Sequence, residues 1–397
     1  MANDVLDQAE ALADRTIDFR RALHRRPEIG LQLPGTQEAI VEELSDLGLD
    51  VRRGGSTTSV VAVLEGASDG PTVLLRGDMD ALPLVEDTGL SFASEIDGAM
   101  HACGHDTHVA MLAGAARLLT DRRAELAGRV VFMFQPGEEG FHGARYMLEE
   151  GLLDVAGPRP VGAFAIHTTS TFASGTINTR PGALLASADT IHLTVHGRGG
   201  HASAPHQAAD PIPVAAEIVI ALQTMVTRRV NIFDPAVVTI ARITAGTTDN
   251  VIPVRAELEG TIRTLSAESR ASVRAMVAQV ADGIAAAHGM TAELSIEAGY
   301  PVTVNDGDFA AAVQVTAGRV LGAERVVPMD NPIMGAEDWS YVLEEVPGAM
   351  AFLGACPPAL EPDTAPGNHS NLVVFDESAL AAGVATYAAV AMDTLAS

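Results

Sequence analysis

Short apolar runs between glycine or polar residues are the feature that most limits how this chain can fold. They occupy residues 60–64, 73–75, 130–134 and 161–166. Such runs suit strands that are buried on both faces, as the strands of a parallel sheet are. Segments of helical periodicity separate them, so strand and helix alternate along the chain. The sequence therefore predicts an α/β fold with a mostly parallel sheet sandwiched by helices.

The pattern changes to strict alternation between residues 187 and 298. Here Ile191 and Leu193 alternate with polar residues, which is typical of a sheet with one solvated face. The predicted order of elements, β-α-β-β-α-β, is that of a ferredoxin-like unit. The chain has 397 residues, which is long enough for two domains. We predict one domain in two segments, 1–186 and 299–397, interrupted by an inserted α+β domain at 187–298.

Residues 101–108, His-Ala-Cys-Gly-His-Asp-Thr-His, bring thiol, imidazole and carboxylate groups together around a glycine. Because Gly104 allows a tight turn, Cys103 and His105 can reach the same small ion. An isolated segment of this kind is more often a buried cysteine next to histidines that cap a helix. Residues elsewhere in the chain favour the metal site.

Acidic or metal-binding side chains directly follow three of the predicted strands. They are Asp78 and Asp80, then Glu138 and Glu139, and finally His167. In open α/β sheets, ligands bind outside the carboxyl ends of the strands. A proline-rich loop near the C-terminus delivers His369, which we place at the same site as Cys103 and His105.

The candidate metal ligands are Cys103, His105, Glu139, His167 and His369, with Glu138 adjacent. Five ligands exceed what one tetrahedral ion takes, whereas two divalent ions that share a bridging ligand would use them all. The mixture of sulfur, nitrogen and oxygen suits Zn²⁺ or Mn²⁺ and is also compatible with Co²⁺ or Ni²⁺. Neighbouring glutamates point in different directions, so one can coordinate while the other takes a proton from water. This pattern predicts metal-assisted hydrolysis.

The charge and composition exclude several other classes of protein. A formal net charge of −26 opposes binding to nucleic acid or to an anionic membrane. Every basic residue is arginine, which excludes a Walker-type phosphate loop and a Schiff-base lysine. Two cysteines make no disulfide framework, and we find neither a signal peptide nor an apolar run of membrane-spanning length. We therefore expect a cytoplasmic protein.

Five segments together resemble the binuclear metal-dependent amidohydrolases, which include bacterial aminoacylases, hippurate hydrolases and plant auxin-conjugate hydrolases. The segments are Met-His-Ala-Cys-Gly-His-Asp-Thr-His at 100–108, Gln-Pro-Gly-Glu-Glu-Gly at 135–140, Gly-Arg-Gly-Gly-His-Ala-Ser at 197–203, Asn-Val-Ile-Pro at 250–253 with Gly-Thr-Ile-Arg at 260–263, and Gly-Ala-Glu-Asp-Trp at 335–339. They occur in the family's order and cover nearly the whole chain. The resemblance implies a metallopeptidase-like catalytic domain with two divalent metal ions.

The resemblance also assigns roles to residues of the catalytic domain. Cys103 would bridge the two metal ions, and His105, Glu139, His167 and His369 would complete the ligand set. Glu138 would act first as general base and then as general acid. Asp80 would be the carboxylate that orients the site, a role that ligating imidazoles commonly require.

The inserted domain would serve as a lid that closes on the substrate. From it, His201 would donate a hydrogen bond to the developing oxyanion. Asn250 and Arg263 would hold the carbonyl or carboxylate of the substrate, which suits the two parallel N–H groups of arginine. The resemblance further implies a homo-oligomer, a dimer or tetramer, formed through this lid.

The sequence departs from the family pattern in two places. Thr168, Thr169 and Ser170 follow His167 where the family has a short apolar segment that contains proline. Asn371 stands where a proline usually follows Asn-His-Ser. We expect both places to border the pocket and to bear on which substrate is bound.

The function predicted from all of this is hydrolysis of the amide bond of an N-acyl amino acid by a metal-bound hydroxide. A dipeptidase or carboxypeptidase with the same binuclear site is the nearest alternative, because the bond broken is also an amide. A cysteine hydrolase with Cys103 as nucleophile would keep its activity after chelation. A metal-binding protein without turnover is the non-enzymatic alternative.

Overall fold

The structure, a computed structural model, describes residues 2–396. The helices are α1 Ala2–Ala11, α2 Ala13–His24, α3 Pro34–Leu44, α4 His105–Asp121, α5 Gly143–Glu149, α6 Pro211–Arg229, α7 Ala267–Ala287, α8 Gly307–Leu321, α9 Ser340–Leu343 and α10 Leu380–Ala396. The strands are β1 Asp50–Arg53, β2 Val60–Glu65, β3 Ser68–Asp78, β4 Ala127–Gln135, β5 Pro160–Thr169, β6 Ile177–Thr179, β7 Gly182–Leu185, β8 Asp189–His196, β9 Gly200–His201, β10 Ala236–Ala245, β11 Val251–Ile252, β12 Arg255–Thr264, β13 Thr291–Ala298, β14 Thr303–Asn305, β15 Val326–Pro328 and β16 Gly348–Gly354.

Two compact units make up the chain. The first unit comprises Met1–Leu184, Val304–Asn331 and Asp338–Ser397, and the inserted unit comprises Leu185–Thr303 and Pro332–Glu337. The sequence assigned residues 332–337 to the other domain. They belong to the inserted unit because the backbone N–H of Ala186 donates to the carbonyls of Ile333 and Gly335, at 3.1 and 2.8 Å. A hydrogen bond between residues so far apart in the chain leaves no local signal in the sequence.

The first unit contains a sheet of strand order β1-β2-β4-β3-β5-β16-β6-β15. Strands β4, β3, β5 and β16 run parallel at its centre, whereas β1, β2 and β4 pair antiparallel at one side. Helices α4 and α10 pack against each other and against β3, and α8 packs against β16. The predicted α/β fold is confirmed, with antiparallel pairs confined to the flanks of the parallel centre.

The apolar runs form the central strands because both faces of these strands are covered. Every residue of β16 is buried, and so is β3 from Thr72 to its end at Asp78. Arg76 is also buried in β3, where its guanidinium contacts the carboxylates of Asp78 and Asp338 at 2.9 and 3.2 Å. A buried charge requires such partners, since its desolvation is otherwise costly. These charges lie next to the site described below.

The inserted unit has an antiparallel sheet of order β10-β12-β8-β13 with α6 and α7 packed on it. The apolar residues of β8 are buried against the helices, while His192 and His196 on its other face are exposed. Helix α6 begins as expected, since the Asp210 side chain accepts a hydrogen bond from the Ile212 N–H and Pro211 follows the cap. The ferredoxin-like arrangement predicted for this segment is confirmed.

Among residues 2–396, one helical stretch has the length and apolar composition of a membrane span. It runs from Glu377 to Ala396, and 78% of its apolar window is buried inside the protein. Burial of this extent is typical of the core helix of a globular unit, where the apolar surface packs against β3, β5 and α4.

Candidate metal centre

A glycine turn places Cys103 and His105 at the amino end of α4. Gly104 has a φ of +85°, and a Cβ atom added there would lie 3.1 Å from the Phe375 ring. The Thr107 hydroxyl closes the turn by donating to the Gly104 carbonyl at 2.6 Å. The left-handed conformation and the close ring both require glycine at this position. The thiol and the imidazole on either side of the turn are buried.

The strands deliver the remaining groups from three directions. Asp78 ends β3, and Glu138 and Glu139 follow the end of β4 at Gln135. His167 lies inside β5 opposite Phe352 of β16, so the strand continues three residues beyond the end expected from the sequence. The additional pairing with β16 keeps the backbone of His167 extended. All these groups belong to the first unit.

His369 reaches the same place from the loop before α10. Its φ of +71° is uncommon for a residue other than glycine, and its backbone N–H donates to the Ala102 carbonyl at 2.9 Å. The imidazole Nε2 lies 3.3 Å from Cys103 Sγ and 3.2 Å from Glu139 Oε1. A strained residue whose side chain meets two potential ligands is a sign of a functional constraint on the backbone.

The donor atoms fall into two groups that share the thiol of Cys103. One group contains His105 and His167, and the other contains Glu139 and His369; within each, the ligand atoms lie within 4.8 Å of one another. Cys103 Sγ is 3.4 Å from His167 Nε2, and His105 Nε2 is 4.0 Å from Glu139 Oε1. Two donor groups that share one thiolate are suited to a pair of bridged divalent ions.

Hydrogen bonds orient two of the imidazoles for coordination. The Nδ1–H of His105 donates to the Asp80 carbonyl at 2.8 Å, and that of His167 donates to the Thr168 carbonyl at 2.9 Å. Each bond places the proton on Nδ1 and leaves the Nε2 lone pair for a ligand. His105 Nε2 is buried and makes no hydrogen bond with any residue that the structure describes. A buried ring nitrogen of this kind is what a metal ion would satisfy.

The side chain of Asp80 fixes the loop that carries the two glutamates. One carboxylate oxygen accepts from the Glu138 N–H at 2.9 Å, and the other accepts from the Glu139 N–H at 3.0 Å. Its backbone carbonyl holds His105, as described above. Asp80 therefore contacts the site through the backbone of the glutamates as well as through the imidazole. Glu138 is buried, and an oxygen of its carboxylate lies within 4.8 Å of His105 and Glu139 donor atoms.

The electrostatics of the site favour a cation. Hydrogen bonds to Cys103 and Glu139 raise the pKa of His369 to about 10. Burial alone would raise the pKa of Glu139, but the hydrogen bond from His369, the charges of His105 and His369 and the contact with Cys103 together lower that pKa. Burial lowers the pKa of His167 well below its ordinary value, which keeps this imidazole neutral. The negative groups that favour a proton on His369 would equally favour a divalent ion, so the residues fit a metal centre.

A second buried cluster lies behind the turn and links α2 to α4. Arg20 Nε and His24 Nδ1 both contact one oxygen of Asp106, at 2.6 and 2.8 Å. The other nitrogen of His24 lies 3.3 Å from Glu86, which also accepts a hydrogen bond from the Ser94 N–H. Burial alone would raise the pKa of Glu86, but the hydrogen bonds, that of His24 first, lower it to about 2.

Two residues that the structure places beside the centre, His108 and Asp78, had no assigned role in the prediction from the sequence. His108 lies three residues after His105 on α4, and its Nδ1 is 2.5 Å from Asp78 Oδ1. Asp78 Oδ2 in turn lies 3.4 Å from His105 Nε2. The three-residue spacing puts both histidines on one face of the helix, which was the available signal.

The two places that depart from the family pattern have different surroundings. Thr168 and Ser170 are fully buried, and their hydroxyls bond to the Thr107 hydroxyl and the Pro366 carbonyl, both at 2.7 Å. Asn371 is exposed, and its carbonyl accepts from the Asp87 N–H. Thr168 and Ser170 therefore face the protein interior, where they join chain segments.

The residues expected from the lid lie in the inserted unit. His201 on β9 is exposed and pairs with Val251 of β11, next to Asn250, whose carbonyl accepts from the Ala202 N–H at 3.1 Å. The ring nitrogen Nδ1 of His201 lies 2.8 Å from the Ser203 hydroxyl. Arg263 lies on the sheet face opposite the buried Ile262, and burial lowers its pKa. Their predicted roles toward the substrate stay predictions.

Comparison with known proteins agrees with this site. Residues 74–393 match the protein family described as Peptidase family M20/M25/M40. The chain is 42% identical to N-acetylcysteine deacetylase of Bacillus subtilis, over 87% of this chain and 89% of that protein. It is 37% identical to thermostable carboxypeptidase 1 of Saccharolobus solfataricus, over 99% and 97% of the two chains.

A solved structure extends the agreement to the whole fold. The YxeP protein of Bacillus subtilis, described as a dinuclear metal binding peptidase, is 36% identical and superimposes with a TM-score of 0.84, over 98% of this chain and 99% of that one. The expected family resemblance is therefore confirmed, and the predicted enzyme class, a hydrolase of amide bonds, with it. The fold, the shared thiol and the extent of the match together place this chain in the peptidase M20 family.

Proposed function

We propose that this protein hydrolyses the amide bond of N-acyl amino acids with the help of two divalent metal ions. The observation that carries the proposal is the pair of donor groups that share Cys103, with the buried carboxylate of Glu138 adjacent. Relatives named as a deacetylase of N-acetylcysteine and as hydrolases of amino acid conjugates support the same reaction class.

The ions would be held by Cys103, His105, Glu139, His167 and His369. When bound, they supply Lewis acidity, which polarises an amide carbonyl and lowers the pKa of water to roughly 7. Zn²⁺ or Mn²⁺ best suits the mixture of thiolate, imidazole and carboxylate, and Co²⁺ or Ni²⁺ is compatible with it.

The protein's own groups would handle the proton. Glu138 would accept it from the attacking water and pass it to the nitrogen of the departing amine, first as base and then as acid. The two hydrogen bonds from Asp80 hold the backbone of Glu138 and Glu139, so that one carboxylate can coordinate while the other moves a proton. Burial of Glu138 limits competing contact with bulk water.

The inserted unit would bind and orient the substrate. We assign His201 as the donor to the oxyanion, and Asn250 and Arg263 as the groups that hold the substrate's carbonyl or carboxylate. The exposed edge strand β10 and the exposed side chains of Ile220 and Phe233 support a homo-oligomer, a dimer or tetramer, formed through this unit. A cytoplasmic location remains our expectation from the composition.

A carboxypeptidase is the second candidate, because thermostable carboxypeptidase 1 matches 99% of this chain. The two candidates differ in the group on the carbonyl side of the amide bond that is broken. This group is a simple acyl group for the amidohydrolase and a peptide for the carboxypeptidase. One substrate comparison separates them: rates on N-acetyl and N-benzoyl amino acids against dipeptides and N-blocked peptides. We expect higher kcat/KM for the acyl amino acids. Faster release of amino acids from peptides would favour the carboxypeptidase.

A further inference from the structure

The hydrogen-bond ladder between β3 and β5 stops before either strand ends. The last paired residues are Arg76 and Ala165, whereas β5 continues against β16 as far as Thr169. In a parallel sheet, the N–H groups of alternate residues point toward the same neighbouring strand. The N–H groups of Ile166 and Thr168 are therefore directed into the space where the β3 pairing has ended, and buried N–H groups need an acceptor.

A tyrosine from α10 fills the first part of this gap. The Tyr387 hydroxyl accepts from the Ile166 N–H at 2.8 Å and donates to the Arg76 carbonyl at 2.7 Å. One hydroxyl thus replaces a direct bond between the two strands. The side chain is fully buried, so the backbone groups depend on it for a partner in place of water.

His108 fills the second part of the gap, nearest the metal centre. Its Nε2 accepts from the Thr168 N–H at 2.7 Å, and its Nδ1 lies 2.5 Å from Asp78 Oδ1. A backbone N–H can only donate, so Nε2 carries no proton and the ring hydrogen is on Nδ1, directed at the Asp78 carboxylate. Arg76 contacts the other oxygen of Asp78 at 2.9 Å and holds that carboxylate in place.

Thr168, whose N–H donates to His108, also orients His167. The Thr168 carbonyl accepts the Nδ1–H of His167 at 2.9 Å and a bond from the Asn368 side chain, also at 2.9 Å. The imidazoles of His108 and His167 are in contact, with ring centroids 4.8 Å apart. Movement of Thr168 would therefore turn the Nε2 lone pair of His167 away from Cys103 Sγ.

We propose that His108 is a positioning residue for the metal ligand His167, acting through the backbone of Thr168, and is not itself a ligand. The donor atoms of Asp78, His105 and His108 are close enough together to hold an ion. However, both ring nitrogens of His108 are already engaged within the protein. The inference rests on the proposed assignment of His167 as a ligand.

Two substitutions of His108 test the contacts of its two ring nitrogens separately. In His108→Gln, the longer side chain can present its amide oxygen to the Thr168 N–H. In His108→Asn, the shorter side chain can donate to Asp78 but leaves the Thr168 N–H without an acceptor. Tyr387→Phe is the matched control, because it removes the equivalent bridge at Ile166 and leaves His108 unchanged.

The experiment measures Co²⁺ binding by its visible absorption, together with the Tm of each protein without added metal. We expect the wild-type protein, His108→Gln and Tyr387→Phe to bind two Co²⁺ ions with the same spectrum. His108→Asn should bind Co²⁺ roughly 10- to 100-fold more weakly, as the loss of a supporting contact typically does. Tyr387→Phe and His108→Asn should both lower the Tm, since each leaves a buried N–H without its partner.

Three results would overturn the inference. Unchanged Co²⁺ affinity and spectrum in a folded His108→Asn protein would reduce His108 to a purely structural role. Loss of one Co²⁺ ion in both His108 variants would make His108 a ligand. A folded His108→Gln protein with weakened Co²⁺ binding would contradict the acceptor role, and this variant decides the matter even if His108→Asn does not fold. Failure of the wild-type protein to bind Co²⁺ would instead contradict the proposed metal centre.

Discussion

Glu138 and Glu139 are neighbours in the chain, yet the site gives them different surroundings. Glu139 Oε1 lies 3.2 Å from His369 Nε2. The backbone N–H groups of Glu138 and Glu139 both donate to the carboxylate of Asp80. Because the backbone is fixed at both positions, the two side chains cannot exchange roles through a simple rotation of the loop. The proposed division between a coordinating and a proton-transferring carboxylate would thus depend on the fixed backbone of this loop.

Glu138→Gln should retain both metal ions and lose activity. An amide of the same size cannot accept the proton, and general base catalysis typically contributes 10²- to 10⁴-fold, so we expect kcat to fall by about that factor. Metal content after dialysis and kcat on an N-acetyl amino acid provide the two readouts. Glu149→Gln, at an exposed position on α5, is the control and should have wild-type values of both. Wild-type kcat in a metal-loaded Glu138→Gln protein would contradict the proposed role.

At the scale of elements, the turn before α4 brings the donor atoms of Cys103 and His105 close together. Gly104→Ala must adopt a left-handed φ, at about 1–2 kcal/mol, and its methyl group would press on the Phe375 ring. Gly98→Ala is the matched control, since Gly98 has a φ of +77° and open space around its Cβ position.

Urea unfolding and Co²⁺ titration should distinguish these two glycine variants. We expect both to lose stability through backbone strain, with the larger loss in Gly104→Ala. Only Gly104→Ala should bind Co²⁺ more weakly, because only there does relaxation of the clash move a ligand. Equal effects of the two substitutions on Co²⁺ binding would show that the turn does not position the thiol.

Local sequence signals predicted the elements that deliver the site but not the contacts that hold it. Apolar runs followed by carboxylates or a histidine were sufficient to place Asp80 and His167 at one sheet edge, because strand direction follows from the alternating pattern. The bridge from Tyr387 to Ile166 joins residues 221 positions apart, and no periodicity reports such a contact. The buried, inward orientation of Thr168 likewise depends on α4 and is not visible in the strand alone.

At the scale of the whole molecule, buried charge clusters link distant segments and make stability depend on pH. The pKa of Glu86 is about 2 in the folded protein, below the value of about 4.3 for an unperturbed glutamate. A lowered folded pKa contributes stability above the unfolded pKa, and this contribution is lost as the pH falls toward 2. Acid should therefore weaken the link among α2, α4 and the loop that carries Glu86.

Glu86→Gln should show this dependence directly. Its free energy of unfolding should be lower than that of the wild-type protein at pH 7, and the difference should shrink as the pH falls from 5 toward 2. Urea unfolding at a series of pH values measures it. Glu95→Gln, at an exposed neighbouring position, should show no such difference. A difference between wild type and Glu86→Gln that stays constant with pH would contradict the lowered pKa.

The measurement that tests the central claim most directly is the activity of chelated protein as Zn²⁺ or Mn²⁺ is added back in known amounts per chain. We expect release of the amino acid from an N-acetyl amino acid to be absent after chelation and to reach its maximum near two equivalents of metal. Full activity in the presence of excess chelator, abolished by alkylation of Cys103, would contradict the account and support a cysteine nucleophile.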